Sequence, residues 1–170
     1  LLPINQFYNL ANFVTMQGAG TNAQPFKTVA DYDAWLARAG EVPVLFESTL
    51  ASGLIGAFVQ ATSGGSLYRK ASFLEGCLGQ SAMAGHLDLH EFPHVRKGKG
   101  SAPFDDEGVT TRARRVVDGG VVQGYFLSSY SARKLGMKTT GNAGGAHNLT
   151  LSSRLTQQGD DLDAMLRKLH

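Results

Sequence analysis

The chain has 170 residues, of which 42% are hydrophobic and 18% are charged, and its formal net charge is +2. That length suits one domain with a core of its own, and no apolar run approaches the ~20 residues that a membrane span needs. The single cysteine, Cys77, excludes an internal disulfide framework and favours a reducing compartment, so we predict a cytoplasmic location. Basic residues cluster only at 96–99 and 112–115, so we predict no nucleic-acid partner.

The first 41 residues differ in sequence pattern from the rest and are predicted to form a segment of their own. Residues 28–40 have a helix pattern, because Thr28 can cap the first turn, Asp31 lies at capping-box distance and Gly40 can end the helix. The strings LLPINQ and QPFKTVADYDAWLARAG resemble a bacterial domain family of unknown function. Since the chain also lacks an initiating methionine, we expect a fragment, with a chimaeric junction near residues 40–44.

The next part of the chain predicts a strand followed by helices. Residues 42–47 are apolar and β-branched, as in a buried strand. A helix capped by Ser48 or Thr49 follows, with an apolar face at helical spacing formed by Leu50, Leu54, Phe58 and Ala61. The run at 63–65, Ser-Gly-Gly, is predicted to stop this helix, and residues 67–74 to add one or two helical turns.

The second half of the chain predicts strands joined by tight turns. Residues 86–91 alternate, with Leu87 and Leu89 facing inward, and residues 110–117 and 121–127 flank an Asp-Gly-Gly hairpin turn. A short helix capped by Ser128 or Ser129 ends at Gly136, and a glycine-rich turn leads to a strand at 149–151 and a final helix at 160–169. This order predicts an α+β fold with a hairpin-rich antiparallel sheet and packed helices.

The string His90-Glu91-Phe92-Pro93-His94 fits the zincin motif HExxH as text. A zincin needs both histidines one turn apart on a helix, whereas Pro93 disfavours a helix and the preceding residues alternate as a strand. We therefore interpret this string as the end of a strand. The acidic loop at 98–108, which contains Asp105, is likewise interpreted as solvated.

A second metal arrangement is physically better, because His86, Asp88 and His90 share one face of the predicted strand. Alternate side chains on a strand lie ~7 Å apart, so two of them could bind Zn²⁺ or Mn²⁺ with help from His94 or Cys77. The alternative is an exposed polar face opposite the leucines, and we favour it. The sequence thus favours no metal or cofactor and leaves the catalytic residues unknown.

Three long strings relate the chain to a known family: SAPFDDEGV, GYFLSSYSARKLG and TTGNAGGAHNL. With VPVLFE and QATSGGSLYRKASFL, they resemble the TldD/PmbA peptidase family, on the PmbA (TldE) side, over about residues 42–170. The resemblance implies a partial domain, truncated relative to the full family fold. It also implies a TldD-like partner subunit and peptide substrates.

The resemblance also implies where a metal motif would lie. The catalytic TldD side has HExxxH on the helix after the VPV strand, and the corresponding positions here are Ser52, Gly53 and Ala57. None of these can ligate zinc or act as a base, so the resemblance implies a non-catalytic subunit of a cytoplasmic peptide-processing metalloprotease. Two alternatives remain: a small metal-dependent hydrolase of narrow or promiscuous specificity using His86, Asp88 and His90, or a structural fragment without activity. Because a truncated sheet exposes edges, we also expect a homodimer.

Overall fold

The structure is a computed structural model that describes residues 45–46 and 48–168. The predicted segment 1–41 and most of the predicted strand 42–47 lie outside the described residues, and Leu45 and Phe46 have no regular structure. The compact unit Phe46–Lys168 contains the elements in this order: α1 (Ser48–Ala61), α2 (Gly64–Tyr68), β1 (Leu87–Phe92), β2 (Arg114–Asp118), β3 (Val121–Val122), α3 (Ser129–Lys134), β4 (Asn148–Ser153) and α4 (Leu162–Arg167).

The four strands form one antiparallel sheet in the order β3-β2-β1-β4. The α+β prediction is therefore confirmed. β1 lies in the interior of the sheet, with Leu89 opposite Val117 on one side and Leu151 on the other. One face of the sheet forms the core with α1, α2 and α3, and Leu67, Leu89, Val122 and Leu127 are buried there. No helix in the described part of the chain is long and apolar enough to cross a bilayer.

The β2–β3 hairpin turns at Asp118-Gly119-Gly120, as predicted. Gly119 and Gly120 have φ angles of 55° and 79°, the left-handed pair that a two-residue hairpin turn requires. β3 is shorter than the predicted strand 121–127. The N–H of Gln123 still donates to the carbonyl of Val116 in β2, but the backbone groups further along bond to side chains and to other segments. The carbonyl of Tyr125 accepts from Arg114 Nη1 at 2.9 Å, and the N–H of Leu127 donates to Thr140 Oγ1 at 2.7 Å.

A β-bulge in β2 explains why two successive valines are both buried. Leu89 pairs with Val117 and His90 pairs with Arg115, so Val116 is the extra residue. A bulge breaks the strict alternation of side chains, and both Val116 and Val117 are fully enclosed. The bulge thereby returns Arg114 to the position opposite Glu91.

The buried part of helix α1 lies in its second half. Phe58 is buried, but Leu50 and Leu54 are 68% and 54% exposed, so the apolar face that the sequence predicts is buried only near its end. The segment 63–65, predicted to end α1, also begins the next helix. The Ser63 side chain accepts a hydrogen bond from Ser66 N–H and caps α2. Gly64 allows α2 to approach α3 closely, since a Cβ there would collide with Ser131.

The last two predicted helices exist, with different degrees of packing. Ser128 forms a capping box with Ser131 at the start of α3, and Gly136, with φ 67°, follows the end of that helix, as predicted. Helix α4 is capped by Asp161 and has the predicted apolar side, but none of its residues is buried. Leu162, Met165 and Leu166 are instead exposed.

Candidate functional site

The HExxH string begins in a strand and ends in the turn after it. His90, Glu91 and Phe92 belong to β1, and the His90 ring stacks on the Phe92 ring with centroids 5.6 Å apart. His94 lies beyond the strand, where its Nε2 is 3.0 Å from Thr111 Oγ1. The string therefore forms the end of a strand, as interpreted, and its two histidines do not lie one turn apart on a helix.

Asp88, one of the candidate metal ligands, is engaged in structural contacts. Its carboxylate accepts from Arg154 Nε at 2.9 Å, from Arg154 Nη2 at 2.8 Å and from Gly119 N–H at 2.7 Å. The bonds from Arg154, followed by the bond from Gly119, hold the pKa of Asp88 well below its usual range. Asp88 thus ties the end of β4 to the β2–β3 turn.

The remaining candidate ligands also lie apart. His86 Nδ1 is 3.0 Å from Ser153 Oγ, and the thiol of Cys77 is buried 3.7 Å from Tyr125 Oη. Among the residues that the structure describes, no three His, Cys, Asp or Glu side chains gather in a way that could hold a metal ion. A metal bound by His86, Asp88 and His90 stays an alternative hypothesis.

Glu91 is the centre of a buried polar network that the sequence patterns did not reveal. It shares the inner face of β1 with Leu89, and only 1% of it is exposed. Its Oε1 accepts from Asn142 Nδ2 at 2.7 Å and from His147 N–H at 2.8 Å, and it lies 3.1 Å from His147 Nδ1. Its Oε2 accepts from Arg114 Nε at 2.7 Å. The two-residue period that directs Leu87 and Leu89 inward also directs position 91 inward, and a buried glutamate requires such partners.

Arg114 extends this network to the segment after β3. It donates to the carbonyl of Tyr125 and to Asn142 Oδ1, and its guanidinium lies 5.0 Å from the centroid of the Phe126 ring. Burial by itself would raise the pKa of Glu91, but the charge of Arg114 and the bonds from His147 and Asn142 lower it overall. Glu91 is therefore held as a carboxylate that balances Arg114.

Asp105 fixes the glycine-rich turn from its other side. The interpretation of its loop as solvated was wrong at this residue, which is 5% exposed. Its carboxylate accepts backbone bonds from Glu107, Val109 and Ala143 at 2.9–3.0 Å. Burial opposes ionisation, but these bonds lower the pKa of Asp105 overall.

A groove of about 390 Å³ lies where this turn meets the helices. Its walls come from the end of α1, from α2, from the start of α3 and from residues 142–146. The rings of Tyr68 and Tyr130 pack edge to face, 5.7 Å apart, and Asn142 connects the groove to Glu91. The described lining offers hydroxyl, amide and aromatic groups but no carboxylate, imidazole or thiol. Such a lining can bind an uncharged group, but it lacks the carboxylate or imidazole that most often acts as a general acid or base.

Comparisons with known proteins identify the family. The model of the PmbA/TldA metallopeptidase C-terminal domain matches residues 39–170. The chain belongs to the PmbA/TldA metallopeptidase family. It is 46% identical over 129 residues to a metalloprotease PmbA homolog of Haemophilus influenzae, covering 76% of this chain and 28% of that relative. It is 29% identical over 104 residues to a metalloprotease TldD homolog of the same organism, covering 61% of this chain and 20% of that protein.

A solved structure agrees with the fold. A Bacteroides thetaiotaomicron protein described as a modulator of DNA gyrase is similar with a TM-score of 0.61 and 30% identity, over 69% of this chain and 26% of that chain. This PmbA/TldA chain thus spans little more than a quarter of the length of the PmbA homolog and of the solved protein.

The metal motif expected in catalytic PmbA/TldA members can be tested against α1. Ser52, Gly53 and Ala57 occupy the implied positions, and all three are exposed. Steric crowding does not explain the glycine, because a Cβ on Gly53 would meet nothing within 4 Å. These positions carry no imidazole, thiolate or carboxylate, so they do not fit a catalytic zinc ion.

Proposed function

We propose that this chain is a non-catalytic, PmbA/TldE-type partner of a metal-bearing TldD-like subunit in cytoplasmic peptide processing. The observation that carries the proposal is the set of side chains at Ser52, Gly53 and Ala57, which cannot ligate zinc. The greater identity to the PmbA homolog than to the TldD homolog supports assignment to the PmbA side.

The use of the buried carboxylates supports a structural role. Glu91 is bonded to Arg114, Asn142 and His147, and Asp105 to three backbone N–H groups. Both carboxylates therefore hold the glycine-rich turn in place and are already occupied by those bonds. The uncharged groove beside that turn would then contribute a docking surface for a neutral peptide segment, while the hydrolytic groups come from the partner.

The decisive experiment combines the purified chain with a TldD-like chain. We expect a stable heteromeric complex by size-exclusion chromatography with light scattering, and peptide hydrolysis only when the TldD-like chain carries its metal. The chain alone, incubated with Zn²⁺ or Mn²⁺, should retain no stoichiometric metal and hydrolyse no peptide. Failure to form the complex would remove the partner role.

The same experiment tests the metal-dependent hydrolase. In that case the isolated chain would bind one metal ion and hydrolyse substrate, and both properties would be lost in His86→Ala and His90→Ala. A matched control is His170→Ala, because His170 does not belong to the candidate ligand set, which includes His94. If the chain forms no complex and shows no activity, the remaining interpretation is a structural fragment without activity.

A further inference from the structure

The outer edge of β4 is unprotected in the part of the chain that the structure describes. Among the described strands, β1 is the only one that pairs with β4, and β4 forms an edge of the sheet. Three successive residues, Thr150, Leu151 and Ser152, are exposed, so both faces of the strand are open at its middle. The sequence of β4, Asn-Leu-Thr-Leu-Ser-Ser, contains none of the charged residues or prolines that usually guard such an edge.

The register determines which backbone groups point outward. The N–H of Arg154 donates to the carbonyl of His86 at 2.8 Å, which makes this pair a hydrogen-bonded one. Hydrogen-bonded and non-hydrogen-bonded pairs alternate along antiparallel strands, so Ser152 and Thr150 also bond to β1. Leu149 and Leu151 therefore direct their N–H and C=O groups away from the sheet.

We propose that this edge pairs antiparallel with the same edge of a second copy of the chain, about a two-fold axis at Thr150. Leu149 then lies opposite Leu151 of the second copy, and each of the two leucine pairs exchanges both backbone hydrogen bonds. Thr150 faces Thr150 of the second copy across a non-hydrogen-bonded pair. The two four-stranded sheets join into one continuous sheet.

The chemistry of the edge favours a second copy over a charged partner. Within β4 no like charges meet across a two-fold axis, and a charged strand would find no opposite charge there. The Thr150 centre also matches leucine with leucine and threonine with threonine, which are favourable cross-strand pairs. An axis one residue further along would instead place Leu149 opposite Ser153, whose carbonyl already accepts from Thr156 N–H at 3.2 Å.

Sedimentation of the full chain tests whether the dimer exists. We expect a dimer of the 18.1-kDa chain across the micromolar range. Leu151→Pro should give a monomer with its thermal unfolding retained, because the lost N–H points outward and proline is tolerated at such positions. Leu151→Ala keeps that N–H and should still dimerise, with weaker affinity. A wild-type chain that is monomeric throughout this range would overturn the proposal.

Cysteine cross-linking tests the register. Opposed Cα atoms in a non-hydrogen-bonded pair lie ~4.5 Å apart, within disulfide range. Thr150→Cys should therefore form a disulfide-linked dimer under mild oxidation. Position 152 is also exposed but lies opposite position 148 of the second copy, so Ser152→Cys should not link, nor should the wild type, whose only cysteine is buried. Equal linking at 150 and 152, or none at 150, would refute the Thr150 axis.

Discussion

Glu91 shows how one residue can fix the centre of this sheet. Its position on the inner face of β1 forces a charged group into the core, where an unpaired carboxylate would be very costly. Arg114, directly opposite on β2, balances the charge, and Asn142 and His147 supply the remaining donors. The network therefore selects one register of β1 against β2 and one conformation of the glycine-rich turn.

Replacing Glu91 by glutamine should destabilise the fold by about 3 kcal/mol, because Arg114 would be left without a counter-charge and would face a side-chain amide. Urea unfolding followed by circular dichroism measures the loss. The matched control is Glu75→Gln, an exposed glutamate for which we expect a change within about 0.5 kcal/mol. Equal effects of the two substitutions would show that the network contributes little to stability.

At the scale of elements, replacing two helical glycines by alanine should change the stability of the fold in opposite directions. A Cβ at Gly64 would collide with Ser131 and lie 3.0 Å from Leu127 Cδ2, and Ser131 cannot move without breaking the cap of α3. Gly64→Ala should therefore cost about 1–3 kcal/mol.

Gly53 lies on the open side of α1, so Gly53→Ala should stabilise the helix by up to about 1 kcal/mol. Differential scanning calorimetry of both variants measures the change in unfolding temperature that each substitution causes. A neutral Gly64→Ala would mean that α2 and α3 can separate at little cost.

Local signals predicted the elements better than their contacts. The Asp-Gly-Gly hairpin, the Ser128 cap and the alternation in β1 each depend on neighbouring residues, and the structure has all three. The short β3 depends on Arg114 and Thr140, which bond to its continuation from other parts of the chain. The exposure of Leu50 and Leu54 likewise depends on how far the core extends along α1, and the helical period of the sequence does not indicate that extent.

In the candidate site too, local sequence predicts the strand but not the contacts of its side chains. His86, Asp88 and His90 stand out in the sequence because they share a strand face, but no local pattern indicates that Arg154 binds Asp88. Glu91 stands in a motif string, although the two-residue period places that residue among the buried ones. Its partners Asn142 and His147 lie 51 and 56 residues away, beyond the reach of local pattern.

For the whole molecule, stability should fall in acid. The folded-state pKa values of the buried Glu91 and Asp105 are lowered, so their contribution is fully present above the ordinary carboxyl range near pH 4 and is lost as pH falls toward the folded values. Urea midpoints measured across this range should be level above about pH 5 and decline below about pH 4. Glu91→Gln should show a shallower decline, whereas a wild-type midpoint that rises on acidification would contradict the assignment.

The span of the Glu91 network affects how the chain can fold during synthesis. Glu91 leaves the ribosome well before Asn142 and His147, which follow it by 51 and 56 residues. Until those residues emerge, Glu91 in β1 and Arg114 in β2 lack the hydrogen bonds that Asn142 and His147 provide in the folded chain. Closure of the interior is therefore a late event, and a translational pause before His147 would leave an incomplete sheet exposed to chaperones.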